Sequence, residues 1–423
     1  MTSKKDTLFP FILVTSLFFL WGFAHNLDPI LIPHLKRSFT LTTVQATLVD
    51  SAVFIAYFIM AIPAGLIMKK YGYKSGIITG LLLFAAGCFL FIPAANAQQY
   101  TFFLVALFII ACGLTILETA ANPYVTVLGD PEKGPQRLNF AQSFNGLAAT
   151  LAPIIGGRII LTIGNTDNQL KLMTGSARKL ALATEASSVK LPYFILGSVL
   201  VLVAVLFAFT HLPKIQNNGQ HVAGKNMFHA FKYKHLAWGV AAQFFYVGAQ
   251  VSVFSLFILY ATKSAGITEV DASWYLGACG VAFLIGRFAG TALMQFFKPA
   301  NLLTLYAIIN VLLCGVAIFA HGMITVYTVI GICFFMSIMF PTIFSLGING
   351  LKGDTEFGSS LIIMSIVGGA ILPRVFALIS DSANDIQAGY YVPMVCFIIV
   401  AVFGLTGHKP KIDPQNLQSP GIL

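Results

Sequence analysis

The stretch TFFLVALFIIACGLTILETAANPYVTVLG, residues 101–129, carries a single charged side chain, Glu118, in an otherwise apolar run. A helix that crosses a bilayer needs about 20 such residues. The rest of the chain reads the same way. Its 423 residues are 57% hydrophobic and 9% charged, where soluble domains carry roughly 25% charged residues. With 38 Phe and a mean hydropathy of +0.84, no water-soluble shape hides so much apolar surface, and the solvent for most of the chain is lipid. The net charge of +10 sits in short basic clusters between apolar runs, which suits loops at a membrane face and not a nucleic-acid patch. Cys88, Cys112, Cys279, Cys314, Cys333 and Cys396 all lie inside apolar runs without a C-x-x-C pair. They read as small core residues, with neither a disulfide framework nor a metal site expected.

Approximate spans fall at 8–33, 44–68, 75–95, 100–128, 138–163, 191–211, 236–262, 271–296, 301–320, 325–350, 360–380 and 388–407. The first run is too long for a signal-peptide core, carries Asn26 and Asp28 and lacks an A-x-A cleavage site, so it reads as a retained span. Twelve spans put both termini on one side. With the termini inside, fifteen of the 25 Lys and Arg fall on inner loops and tails, and only seven on the outer side. The expected topology therefore has cytoplasmic termini. The polar stretch 212–235 reads as a cytoplasmic linker between units 1–211 and 236–423.

The chain repeats itself across that linker. FLWGFAH at 19–25 matches FFYVGAQ at 244–250, and GLIMKKYGYK at 65–74 matches GTALMQFFKP at 290–299. NPYVTVLG at 122–129 answers FPTIFSLG at 340–347, and Pro153 corresponds to Pro373. The matches occur in order at nearly constant spacing. The expected fold is an all-α membrane protein with twelve transmembrane helices in two six-helix repeats of the same orientation. The pairs Gly76/Gly80 and Gly286/Gly290 read either as static helix packing or as a rocking contact.

Ionisable groups inside spans are costly, about 2.5–3.5 kcal/mol for an Asp, Lys or Arg at mid-membrane. Glu118 has no basic neighbour in sequence. Desolvation disfavours its anion, so it can take a proton from one side and release it to the other; the alternative is a neutral acid hydrogen-bonded between helices. Asp28 lies one turn after His25, close to Pro29. It can bind the hydroxyls of a polar substrate, receive a proton or pair with His25. Asp50 lies early in the second span. Arg287 and Arg374 either neutralise a carboxylate or snorkel to an interface. Trp21 and its repeat partner Tyr246 can offer planar apolar surfaces to a substrate, or pack the core. Asn26, Asn122, Gln142, Asn145, Gln243 and Gln250 suit an uncharged polyol, or join helices to one another. No H-E-x-x-H, G-x-S-x-G or P-loop is present, so the chain reads as a carrier without enzymatic activity or cofactor.

GLIMKKYGYKSG at 65–76 resembles the loop signature of the major facilitator superfamily, with Lys69 where that signature has an acidic residue. LETAANPYVTVLG at 117–129, RLNFAQSFN at 137–145, QFFYVGAQ at 243–250, LIGRFAGT at 284–291 and FPTIFSLGI at 340–348 resemble the fucose–galactose–glucose:proton symporters within it. The resemblance implies a monosaccharide symporter of the inner membrane, a monomer in the bilayer driven by a proton gradient, with alternating access. Sodium coupling through Asp28, Asp50 and amide oxygens and uncoupled facilitation stay open. The family's functional glutamate, asparagine and glutamine fall on Glu118, Asn26 and Gln142. Its first-span Asn-Asp pair reads Asp28-Pro29 here, and its tenth-span tyrosine is Phe340.

The topology predicts that Asn218→Cys, in the linker, reacts with an impermeant thiol reagent only after the cell is opened, while Asn168→Cys reacts in intact cells. Labelling of Asn218→Cys from outside would reverse the orientation.

Overall fold

The computed structural model describes residues 4–27, 31, 35, 38–39, 48–128, 130–156, 173, 175–210, 212 and 232–409. Regular structure there is helical. In chain order the helices are α1 (Lys4–His25), α2 (Leu48–Ala97), α3 (Tyr100–Val127), α4 (Gly134–Gly156), α5 (Gly175–Ser187), α6 (Lys190–Phe209), α7 (Lys234–Ser255), α8 (Phe257–Ala265) and α9 (Glu269–Leu293). They continue with α10 (Pro299–Phe319), α11 (Met323–Met336), α12 (Met339–Ile348), α13 (Thr355–Met364), α14 (Gly368–Ala383) and α15 (Tyr391–Val402).

Among the described residues nine helical stretches are long and apolar enough to cross a membrane. One of them, Ala52–Ala97, turns back at Gly72, whose φ of 81° is open to glycine at little cost, and so holds two crossings. Counting α1, whose apolar part is Pro10–His25, and α4 brings the crossings to the expected twelve. Helix α4 is less apolar because it carries Asn139, Gln142, Ser143 and Asn145, most of them buried inside the bundle.

Several boundaries differ from the sequence reading. The first helix ends at His25 and turns at Asn26 and Leu27, where the hydropathy alone suggested continuation to residue 33. Asp28 lies outside the described residues. The span expected at 325–350 is two helices, α11 and α12, separated by a turn at Ser337 and Ile338. The eleventh span begins earlier, at Thr355, and is interrupted by a 3-10 turn at Ser365–Val367. Between the fifth and sixth crossings lies the helix α5, whose short length and low apolar content left no span-like signal.

Small residues let the helices meet closely. A Cβ at Gly80 would lie 2.8 Å from Leu117 Cγ and one at Gly87 2.7 Å from Ile110 N, so the two crossings on either side of the 98–99 turn pack backbone to backbone. Gly286 meets Phe334 O, and Gly290 meets Ile338. Both glycine pairs noted in the sequence therefore sit in helix-packing contacts. Glycines one position out of register in FLWGFAH and FFYVGAQ each meet a later crossing: Gly22 abuts Asn145 on the fifth, and Gly248 abuts Leu372 on the eleventh.

Two prolines shape the packing further. Pro123 in α3 and Pro341 in α12 occupy the same position in the NPYVTVLG/FPTIFSLG repeat, and neither has an N–H to donate. The carbonyls four residues earlier, Thr119 and Ser337, thereby lose their helical donor, and an unsatisfied group in lipid costs several kcal/mol. Ser359 Oγ donates to Thr119 O at 2.8 Å, and Arg287 Nε donates to Ser337 O at 3.0 Å. The sequence's two prolines thus create acceptors that distant helices fill.

At the end of the bundle bearing the short 3-10 turns Pro131–Lys133 and Lys352–Asp354, helices from the two sides of the linker interlock. Every residue from 355 to 363 is buried, so α13 is enclosed around its whole circumference. Gly65 touches Ser360, Lys69 Nζ lies 4.5 Å over the Phe357 ring, and Tyr73 hydrogen-bonds Glu356. Asn139 Nδ2 donates to Thr342 Oγ1 at 3.0 Å. Tyr233, at the end of the linker, hydrogen-bonds Asp354; burial and that carboxylate push its phenol up from the ordinary value.

Gly286→Val is predicted to destabilise the protein by about 1–3 kcal/mol, because its Cβ would enter the space of Phe334 O. Gly277→Ala, with nothing within 4 Å of the new Cβ, should leave the thermal midpoint unchanged or raised. Equal midpoints for the two variants in detergent would contradict the close packing.

Candidate functional site

The carboxyl of Glu118 projects from the middle of α3 and is half-buried. Tyr57, on the first crossing of α2, donates its hydroxyl to Glu118 Oε1 at 2.7 Å. One turn further along α3 is Asn122, fully buried, whose Oδ1 accepts from Gln142 Nε2 at 3.2 Å. Asn122 Nδ2 is buried without a hydrogen-bond partner. Gln142 belongs to α4, and its main-chain oxygen accepts from Arg287 Nη1 of α9 at 2.6 Å. Arg287 Nε meets Ser337 O, as above, and its guanidinium lies 4.6 Å from the Phe283 ring centre. Two linked sets thus sit one helical turn apart on α3: Tyr57 with Glu118, and Asn122 with Gln142 and, through the Gln142 main chain, Arg287.

The structure separates the remaining sequence candidates by accessibility. His25 is exposed, and Asn26, Asn145, Gln250 and Phe340 are half-buried. Asn26 caps its own helix, donating through Nδ2 to Gly22 O at 2.6 Å. Trp21 is only 1% exposed, with its ring 4.1 Å from that of Phe18. Tyr246 is fully buried and donates to Met336 O at 3.0 Å. Neither ring presents a free face in this conformation; both pack against neighbouring helices. Gln243 is fully buried with both side-chain polar atoms unpartnered. Arg374 is exposed, whereas Arg287 is 4% exposed and does not snorkel. The six cysteines are free and buried.

Two parts of this arrangement escaped the sequence. Tyr57 is 61 positions from Glu118, and no local pattern marks it as the partner. Arg287 carried a signal of a kind: a lone arginine in an apolar run, together with a proline four residues after Ser337. Only the fold brings those two features together.

A carboxyl and a set of amides placed at the centre of twelve lipid-spanning helices define a multi-spanning membrane transport protein. The sequence profile of the Major Facilitator Superfamily matches residues 11–362, and the chain belongs to that family. It is 44% identical over 408 residues to the L-fucose-proton symporter of Escherichia coli (strain K12), covering 95% of this chain and 93% of that protein. It is 38% identical over 410 residues to the glucose/galactose transporter of Brucella abortus biovar 1 (strain 9-941), covering 96% of each. The crystal structure of FucP, a major facilitator superfamily transporter, in the outward conformation superposes with a TM-score of 0.89 at 43% identity. That match covers 94% of this chain and 98% of FucP.

If the Tyr57 hydroxyl serves Glu118, Tyr57→Phe lowers the thermal midpoint by the equivalent of about 1–3 kcal/mol, because a buried acceptor loses its donor. The double variant Tyr57→Phe/Glu118→Ala should then melt no lower than Glu118→Ala alone. Additive losses would show that the two groups act separately.

Proposed function

We propose that this protein imports a neutral monosaccharide by proton symport, through alternating access between two six-helix halves, 1–211 and 236–423, joined by the linker 212–235. The observation that carries the reading is Glu118: a half-buried carboxyl in mid-span, hydrogen-bonded to a neutral phenol and backed by amides. An anion there is costly, so the group is suited to gain and lose a proton as its surroundings change. The amides Asn26, Asn122, Gln142, Asn145 and Gln250 can exchange hydrogen bonds with sugar hydroxyls without demanding charge on the substrate. Asp28 is the second candidate for proton coupling. Phe340 offers an apolar contact in place of the family's tyrosine. Trp21 and Tyr246 contribute to the site once the halves move and uncover a ring face.

The protein's place is the cell inner membrane, as a monomer with cytoplasmic termini. In that orientation the interlocked end built on α13 is the cytoplasmic one, so the described state is closed inward. The likeness to FucP in its outward conformation supports this assignment. L-fucose, galactose and glucose, named for the relatives, form the first substrate panel.

In proteoliposomes, Glu118→Gln preserves size and hydrogen bonding but cannot titrate. It should still exchange labelled sugar across the membrane yet fail to accumulate it uphill. Accumulation equal to the parent's would make the carboxyl structural and pass coupling to Asp28 or Asp50.

A further inference from the structure

Arg287 does more than the packing of its own neighbourhood requires. The carbonyl of Ser337, freed by Pro341, needs one donor. At the corresponding place in the first repeat, the carbonyl of Thr119 is satisfied by a serine hydroxyl, that of Ser359. A guanidinium at mid-membrane costs about 2.5–3.5 kcal/mol more than a neutral side chain. Its hydrogen bonds here go to main-chain carbonyls, Ser337 O through Nε and Gln142 O through Nη1, with Phe283 beneath the plane. The second of these bonds crosses from α9 to α4, from one side of the linker to the other. Only a rigid planar fork addresses two fixed carbonyls at once; an ammonium offers a single point of donors.

We propose that Arg287 is a positioning residue of the sugar site: by holding the main chain of α4 at Gln142 it sets the Gln142 amide against Asn122, one turn from Glu118, and orients Asn145 on the same helix. Resting on the transport reading above, this assigns Arg287 neither to the substrate nor to the proton. Gln142 and Asn145 lie three residues apart on α4, so one contact fixes the orientation of both. Gly146, a residue beyond Asn145, has Leu284 of α9 3.1 Å from its Cβ position, which brings α4 against α9 at the same level. The acceptor is main chain on both sides, so rotamer changes at Gln142 or Ser337 do not break the link. Pro341 keeps Ser337 O available by denying it a helical donor.

A double-mutant cycle tests the assignment. Arg287→Met, Arg287→Lys, Gln142→Ala and Arg287→Met/Gln142→Ala are purified, and each is checked for folding by thermal melting. Affinity for L-fucose, D-galactose and D-glucose is then measured by calorimetry. Arg287→Met should weaken binding of the transported sugar by about tenfold or more, the scale of a lost charge-assisted hydrogen bond. The double variant should bind no worse than the weaker of the two singles, because Arg287 acts through Gln142 and its helix. Arg287→Lys should fall between the parent and Arg287→Met, and it carries the test alone if Arg287→Met does not fold. Unchanged affinity in a folded Arg287→Met or Arg287→Lys, or losses that multiply in the double variant, would overturn the proposal. A parent protein that binds none of the three sugars would instead sink the transport reading itself.

Discussion

Two main-chain oxygens, those of Thr119 and Ser337, govern how this bundle is assembled. Each is stripped of its helical donor by a proline four residues later, and neither has water to turn to inside a membrane. The donors that satisfy them come from α13 and α9, helices that must be brought close for the purpose. Burial of apolar surface does not by itself drive helices together in lipid, where tails are as apolar as leucine. Directed hydrogen bonds and close approach at small residues decide the arrangement instead. The bond from Ser359 holds the enclosed helix α13 against α3, and the bond from Arg287 ties the α11–α12 turn to α9.

The candidate site grows from the same features. Pro123 is in α3 one turn beyond Glu118, so the segment that frees a carbonyl for α13 also bears the carboxyl and Asn122. Arg287, recruited to the second freed carbonyl, reaches the main chain of Gln142, whose amide bonds Asn122. Structural satisfaction and the polar centre thus share residues. A change at either proline is felt at the site, and a change at Glu118 is felt by Tyr57 on a neighbouring crossing.

Much of this was legible in the sequence. The spans, their number and the isolated Glu118 follow from hydropathy and from the rarity of charge, and the NPYVTVLG/FPTIFSLG repeat already marks the two prolines. What local pattern could not supply was pairing across distance. Tyr57 is one of 14 tyrosines, and nothing nearby distinguishes it. Arg287 and Arg374 read alike in the sequence, and only the fold buries the first and exposes the second. Trp21 and Tyr246 were legible as aromatic and central, but their enclosure depends on neighbours from other helices. The breaks at Ser337 and at Ser365–Val367 were hidden because apolar composition continues through them, and hydropathy registers composition and not helical continuity.

A carboxyl that carries a proton with the sugar must draw that proton from the outer medium. The direct measurement is the pH of a weakly buffered medium around energy-depleted cells or proteoliposomes when the transported sugar is added. Proton symport predicts alkalinisation outside that accompanies sugar entry in the parent, is abolished by a protonophore, and does not require sodium. Sugar entry without a pH change, or entry that depends on sodium, would contradict it.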